Sequence, residues 1–401
     1  MLLSCWFGVL LLLPRLSVAQ FGPLPVYDPE SKYDFSPLEG YLTTVASYFG
    51  NISITVGTKD GAVWRYSNMN MTEDTVLELA SGSKWPGVVA LTACFAKNGI
   101  DYDAKVNEFL TWWTKDANDT RSQVTIRHVL TMTTGMISDD DSSANAWAQC
   151  YGKKDSNFDD CAKAMYDFLM ESPEPVYAPG TKFMYSSFGF QWAGAVAQVV
   201  ENKTMTSILE TYLLEPAGML PDCAYGPTPA QPLIGAGLAC SAKKMDLFNH
   251  AMLTDKLVSP EVRRIMETPA LTPDMFGSAS LVWGNYGFGN WQICLNNFRF
   301  DTPMPKQCVS RDRHGHPGCN GYYNSIDRQR GYYINFLPSY TCTADNNYCD
   351  SPSPDNCPPL YGWAQTQFLA ISSYLEDIFD DTPVSSLQKC GDLVNTDTMR
   401  N

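Results

Sequence analysis

The period of the apolar positions changes along the chain, and each change marks an element. Residues 38–50 carry apolar side chains at helical spacing. From Asn51 to Val56 the pattern alternates, with Ile52, Ile54 and Val56 on one face of a strand. Lys59-Asp60-Gly61 is a hairpin signal, and Ala62 to Tyr66 reads as the returning strand. From Ser81 to Ala96 the spacing is helical again, with Val88, Leu91, Thr92 and Phe95 on one side. Residues 100–235 hold several helical segments separated by Gly and Pro turns. Strands return at Tyr322 to Ile326 and Gly331 to Leu337, a Pro/Cys/Asn loop follows over 338–360, and Trp363 to Asp377 is amphipathic. No segment repeats. Two strands, a block of helices, then strands and a final helix predict an α+β fold. In it an antiparallel β-sheet is flanked by helices, and a mostly helical subdomain, about residues 100–235, is inserted.

The chain begins with an apolar run, Trp6 to Leu13, followed by Ser17-Val18-Ala19. This reads as a signal peptide over residues 1–19, because the run is far short of the ~20 residues that span a bilayer. Residues 20–37 read as an extended arm and 381–401 as a C-terminal tail. Of 13 cysteines Cys5 lies in the leader, leaving twelve, an even number suited to disulfides in an oxidising compartment. Cys150 and Cys161 are spaced to clip one loop, and Cys342, Cys349 and Cys357 crowd another. C-x-x-C metal spacing is absent. Glycosylation sequons at Asn51, Asn70, Asn118 and Asn202 agree with an extracellular location. The net charge of −15 repels phosphate backbones and anionic lipid, which argues against nucleic-acid and membrane-surface partners. No later stretch is long enough to be an integral membrane segment.

Three short motifs carry the chemistry. Ser81-Gly82-Ser83-Lys84 opens a helix, so Ser81 and Lys84 lie one turn apart on one face. A serine hydroxyl needs a base within hydrogen-bond reach. A lysine supplies it when burial disfavours the ammonium form. On its own such a tetrapeptide is usually a solvated helix face. Tyr185 follows the Pro179-Gly180 turn, where a tyrosine beside a cation serves as a general base. Among 21 tyrosines it would otherwise be an ordinary aromatic. His314-Gly315-His316-Pro317-Gly318-Cys319 combines two of the four histidines with glycines that permit close backbone approach to a ligand. The alternative, a metal-binding histidine pair, lacks further nearby ligands.

Taken in order, these motifs resemble those of the serine β-lactamase-related superfamily: S-x-x-K, Y-x-N and K-T-G or H-x-G. The likeness runs from about residue 38 to 380 and includes Val124 to Met136, Pro179 to Met219, Gly235 to Leu238 and Tyr286-Gly287-Phe288-Gly289. It also takes in His316-Pro317-Gly318 with Asp327. The superfamily holds class C β-lactamases, penicillin-binding carboxypeptidases and β-lactamase-like esterases. The resemblance implies a β-lactamase/transpeptidase-like fold, with Ser81 as acylated nucleophile, Lys84 as its proton partner and Tyr185 as the proton shuttle. It places the backbone N–H groups of Ser81 and Cys319 in the oxyanion hole, with Ser187, His316 and Gly318 lining the substrate site. No metal or organic cofactor is implied.

The departures favour an esterase, amidase or peptidase over a β-lactamase. Ser187 stands where relatives carry an amide-binding Asn, and His316 stands where many carry a permanent cation. Pro317 removes a strand N–H, so ladder pairing should break there. The expected partner is a small-molecule or peptide ester or amide. Two other readings use the same fold: a catalytically inactive binding or structural protein, and an acyltransferase.

Overall fold

A computed structural model describes residues 26–27, 32–45, 51–68, 71–136, 156–171, 176–275, 285–293, 313–338 and 360–380. The leader, Asn70, Cys150, Cys342, Cys349, Cys357, nearly all of the 338–360 loop and the 381–401 tail lie outside the described residues.

In chain order the first elements are β1 (Val26–Tyr27), α1 (Ser36–Val45), β2 (Ile52–Thr58), β3 (Gly61–Ser67) and β4 (Val76–Glu78). A 3₁₀ turn, Ala80–Ser83, leads into α2 (Lys84–Lys97). The helical block follows as α3 (Ile126–Leu130), α4 (Phe158–Met170), α5 (Phe188–Glu201) and α6 (Met205–Leu209). Three short strands come next: β5 (Ala224–Tyr225), β6 (Pro227–Thr228) and β7 (Gln231–Pro232). Then come β8 (Leu238–Ser241), α7 (Ala242–Leu253) and α8 (Pro260–Glu267). The last elements are β9 (Trp291–Gln292), β10 (Arg313–Gly315), β11 (Tyr323–Asp327), β12 (Tyr332–Pro338) and α9 (Leu360–Phe379).

Seven strands form one antiparallel sheet in the order β1-β3-β2-β12-β11-β10-β9. Chain ends thus share a sheet, with β2 paired to β12 from Ile52↔Pro338 to Thr58↔Tyr332. The α+β expectation holds. The differences are local. The 100–235 stretch includes the short strands β5 to β7 as well as helices. The helix expected from Ser81 begins as a 3₁₀ turn and becomes α-helical at Lys84. Apolar periodicity gives no sign of β10, since Arg-His-Gly is too short to carry one; only the third motif pointed to a strand there.

Both faces of the sheet are covered. Trp64 stacks on Phe35 before α1, and Tyr332 and Tyr323 stack on Phe379 and Phe368 of α9. On the other face α7 holds β12: the Ala242 carbonyl accepts from Asn335, and Tyr333 donates to Asp246. This explains why all seven residues of β2 are buried, although its alternation suggested one solvent-facing side. Ser53 and Thr55 lie under α7. At Gly57, opposite Tyr333, a Cβ would sit 2.2 Å from the tyrosine ring, so only glycine fits.

A disulfide joins Cys223 to Cys240 on β8, and Cys161 is also disulfide-bonded. Full pairing of the twelve cysteines does not occur: Cys94 is unbonded on the buried side of α2, where burial raises its thiol to about 12. Asn118 and Asn202 are exposed and Asn51 is half-buried. Among the described residues no helix is long and apolar enough to cross a membrane.

β10 is tied to the sheet and to α9 by a buried cation. Arg313 Nη2 lies 2.7 Å from Asp327, 2.6 Å from Tyr332 Oη and 3.1 Å from Glu376. Arg330 also reaches Asp327, at 2.9 Å. Burial alone would raise the Asp327 carboxyl, but the two arginines outweigh it and hold it below the ordinary value. A depressed carboxylate contributes stability above its unfolded pKa, ~3.9, and loses it as pH falls through the folded value. Arg313→Met should therefore destabilise the fold by roughly 3–5 kcal/mol at neutral pH in denaturant titrations. The deficit should shrink as pH falls from about 4 toward the depressed value of folded Asp327, because the unfolded carboxyl takes up its proton first. A variant as stable as wild type at pH 7 would remove this cluster as the anchor of β10.

Candidate active site

Ser81 is half-buried in the 3₁₀ turn after β4. The residue before it, Ala80, adopts φ +47°, an uncommon conformation for a side chain with a Cβ. β8 clamps the turn from both sides. Leu79 N donates to Leu238 O at 2.9 Å, and Leu238 N donates to Ser83 Oγ at 2.8 Å. Tyr225 Oη adds a bond to Ser83 O at 2.9 Å.

Lys84, only 1% exposed, is the first residue of α2. Its Nζ donates to Ser81 Oγ and to Gly235 O, both at 2.9 Å. The same Nζ lies 4.7 Å from the centre of the Tyr185 ring. The first two motifs therefore converge, 101 positions apart between Lys84 and Tyr185 in the chain.

The segment bearing Tyr185 is laid against residues 132–135 by backbone bonds. Tyr177 N donates to Gly135 O, Gly180 N to Thr133 O and Met184 N to Met132 O. Gly135 has φ +81°, and a Cβ there would lie 2.1 Å from Tyr177 O. The Thr-Gly of the Val124 to Met136 segment is thus a rail for the tyrosine. Ser187 is buried at the start of α5. Its side chain packs on Gly235, where a Cβ would come within 2.6 Å of Ser187 Oγ. Gly235, whose carbonyl holds Lys84, had no assigned role in the sequence reading.

His316 is fully buried just beyond β10. Ladder pairing of β10 ends at Gly315, as the proline at 317 predicts. Instead His316 N donates to the Asn324 side chain at 3.0 Å, and Asn324 donates to Asn249 at 3.0 Å. Burial, and then the Lys84 ammonium, push the imidazole well below its ordinary pKa against a raising hydrogen bond to Pro317 O. The ring is neutral at physiological pH. Its Nδ1 lies 2.8 Å from Pro317 O, and a carbonyl only accepts, so Nδ1 carries the proton. His314, bonded through Nδ1 to Asn290 at 3.0 Å, is held apart from it. Among the described residues no cluster of His, Cys, Asp and Glu is arranged to hold a metal.

Gly318 brings the third motif onto the turn that bears Ser81. A Cβ there would lie 2.0 Å from Leu79 O and 3.1 Å from Gly82 N. Cys319 follows, exposed beside Ser81's turn, and Asn320 donates to Glu78 O at 3.1 Å. Ser81, Lys84, Tyr185, Ser187, His316 and Gly318 are thus linked by a chain of contacts, with the Tyr185 and His316 ring centres 6.1 Å apart. Two residues missed by the sequence reading join them: Trp291, stacked 6.3 Å from Tyr185, and Tyr286, 4.7 Å from Trp291. Only Tyr286, inside the Tyr-Gly-Phe-Gly run, carried any prior signal.

A β-lactamase family model matches residues 53–282. Among solved structures, a candidate β-lactamase from Bacteroides dorei superposes with a TM-score of 0.65 at 18% identity, covering 87% of this chain and 100% of that one. EstCE1, a hydrolase with promiscuous acyltransferase activity, gives 0.58 at 16% identity, with 75% and 92% covered. A mutant simvastatin synthase from Aspergillus terreus gives 0.58 at 16%, with 85% and 99% covered. At these identities the likeness is one of fold. No curated protein matches the chain.

Because Gly318 meets Leu79 O backbone to backbone, any side chain there must push the loop off the turn. If the sequence-based expectation of an oxyanion hole at Ser81 and Cys319 holds, Gly318→Ala should lower kcat on an ester such as p-nitrophenyl butyrate by on the order of 100-fold, the loss typical of one displaced donor, with far-UV circular dichroism unchanged. Wild-type kcat in this variant would mean that the loop can retreat without cost to the chemistry.

Proposed function

The chain belongs to the β-lactamase family, and from that premise we propose that it is a secreted serine hydrolase of esterase or amidase type, acting through a Ser81 acyl-enzyme. The observation that carries the reading is the 2.9 Å bond from buried Lys84 Nζ to Ser81 Oγ. It holds against the hydroxyl an amine that becomes a proton acceptor once Lys84 has given up its ammonium proton.

In the proposed reaction Ser81 Oγ attacks the carbonyl carbon and its one proton passes to the Lys84 amine, to be relayed through the Tyr185 hydroxyl. The oxyanion is held by the backbone N–H groups of Ser81 and Cys319. Collapse breaks the ester or amide bond, and Tyr185 returns the proton to the leaving oxygen or nitrogen. A water then attacks the acyl-enzyme and gives its proton to the same pair, which returns it to Ser81 Oγ as the acyl–oxygen bond breaks. Secretion is supported by the leader-like N-terminus and by the Cys223–Cys240 disulfide. Acyl transfer to an alcohol in place of water is the second reading, favoured by the acyltransferase activity named for EstCE1; product analysis separates the two.

Ser81→Ala should abolish p-nitrophenyl butyrate turnover, by ~10³-fold or more, and eliminate fluorophosphonate labelling while the protein stays folded. Retained labelling would sink the assignment. A second expectation follows from His316. A neutral imidazole whose proton is held by Pro317 O has no donor for a carboxylate, where a cation would give a charge-assisted bond, a deficit of at least roughly tenfold, and Ser187 lacks the amide of Asn. The ratio of kcat/KM for p-nitrophenyl butyrate over nitrocefin should be large. Comparable efficiencies would restore a β-lactamase.

A further inference from the structure

The helical block carries a groove that shares no residue with the candidate active site. It lies between the start of α4, the end of α5, the start of α6 and the turn joining β6 to β7, and encloses about 590 Å³. That is the size of a small-ligand cleft.

All three residues of one sequon, Asn202-Lys203-Thr204, line this groove. Asn202 is exposed and ends α5 with φ +52°. One helical turn before it, Val199 lines the same groove. Val199 is 55% exposed, more than any other large hydrophobic residue described. A lone valine on a helix surface needs no explanation. One set in a groove beside an acceptor for a sugar has a specific one.

The lining is mixed in a way that suits a sugar. Val199, Phe158 and Met205 give it apolar surface, and Asn157 and Asp159 add polar groups. Asp159 Oδ1 accepts from Gln198 at 2.6 Å, and Asn157 Oδ1 accepts from Asp160 N at 3.0 Å. Asp159 Oδ2 and Asn157 Nδ2 are left over as one acceptor and one donor. The C–H faces and acetyl methyl of an N-acetylhexosamine are apolar, and its hydroxyls both donate and accept. A purely apolar occupant would leave the two polar groups unused, and an anion would meet the Asp159 carboxylate. A sugar joined to Asn202 is moreover tethered to the wall, so it occupies the groove at high effective concentration.

We propose that the first N-acetylglucosamine units of a glycan on Asn202 lie in this groove, covering Val199 and bridging α4, α5 and α6. The proposal rests on the secretory reading, because the glycan is added in that pathway. In the transfer, Asn202 Nδ2 bonds to the anomeric carbon of an oligosaccharide carried on a lipid pyrophosphate. The carbon–oxygen bond to the pyrophosphate breaks, and the amide gives up one proton.

Replacing Asn202 would disturb the fold by itself. Asparagine tolerates the left-handed backbone that ends α5, and Thr204 Oγ1 accepts from Ser207 N at the start of α6. The test therefore removes the sugar and keeps the residue. The full chain is expressed in mammalian cells and collected from the medium. Release of the Asn202 glycan by a peptide N-glycosidase is followed by mass spectrometry, which reads the conversion of Asn to Asp. Release from native protein should be at least about tenfold slower than from denatured protein, since the glycan must leave the groove before its linkage is reached. In Val199→Lys, an exposed change that puts a charge under the sugar, most of that protection should be lost. An unmodified Asn202 in protein from the medium overturns the inference. So does native release as fast as denatured, or protection that survives Val199→Lys. Each of these leaves secretion and the acyl-enzyme standing. A chain that stays in the cells with residues 1–19 attached and no sugar at any sequon overturns the secretory reading as well.

Discussion

A cationic group taken out of water must be given acceptors, and the surroundings of Lys84 are built to that demand. Its Nζ has one acceptor a turn back, Ser81 Oγ, and one 151 residues onward, Gly235 O, each at 2.9 Å. Leaving such a charge unpaired would cost several kcal/mol, a large share of a domain's net stability. The loop before β8 therefore has to close over the first turn of α2. Once it does, Leu238 lies where its backbone can bond both Leu79 and Ser83. The lysine that would move the proton in the proposed chemistry is also what draws the loop, the turn and the helix together.

Close approach is the second constraint, and glycine meets it. Gly235 lies against Ser187, Gly82 against the Tyr322 ring, and Gly318 against the Leu79 carbonyl; at each a Cβ would come within 2.6 Å of its neighbour. Side chains at these points would separate the three motif segments by about the width of a methyl group. Pro317 imposes the complementary requirement. It cannot continue the ladder, so the strand stops at Gly315 and the Asn324 side chain takes over as acceptor for His316 N. The loop is held by a side chain where a sheet would otherwise hold it. Its path then bends onto the turn that bears Ser81.

The long elements were legible because each spreads an apolar stripe over many residues. β2, β12, α2 and α9 lie within a few residues of where periodicity puts them. Ser81 and Lys84 were legible for the same reason, since three positions on a helix is one turn. What could not be read are interactions made by groups that every residue has, or by partners far along the chain. The Gly235 carbonyl looks like any other carbonyl. Arg313, in a three-residue strand, finds Asp327, Tyr332 and Glu376 only once the sheet and α9 have assembled. Cysteine parity misled because Cys94 behaves as a small hydrophobe on the inner face of α2, a role indistinguishable by count from half of a disulfide.

The electrostatics of the site follow from having one buried cation in place of two. Position 316 has no exposed surface, and the Lys84 ammonium is close enough to disfavour a second positive charge there. A lysine at 316 would need acceptors of its own in a shell of aromatic rings: Tyr185, Tyr286 and Trp291. None of those rings supplies a carboxylate or carbonyl, and the Pro317 carbonyl beside them is one acceptor where a buried ammonium has three donors. Histidine escapes the difficulty by being neutral. The positive charge is then concentrated at Lys84, beside the oxygen on which negative charge develops in the proposed reaction. A substrate that brings its own carboxylate meets no second cation, while an uncharged one forgoes nothing. The selectivity proposed for this protein is thus a consequence of how little charge its core can hold.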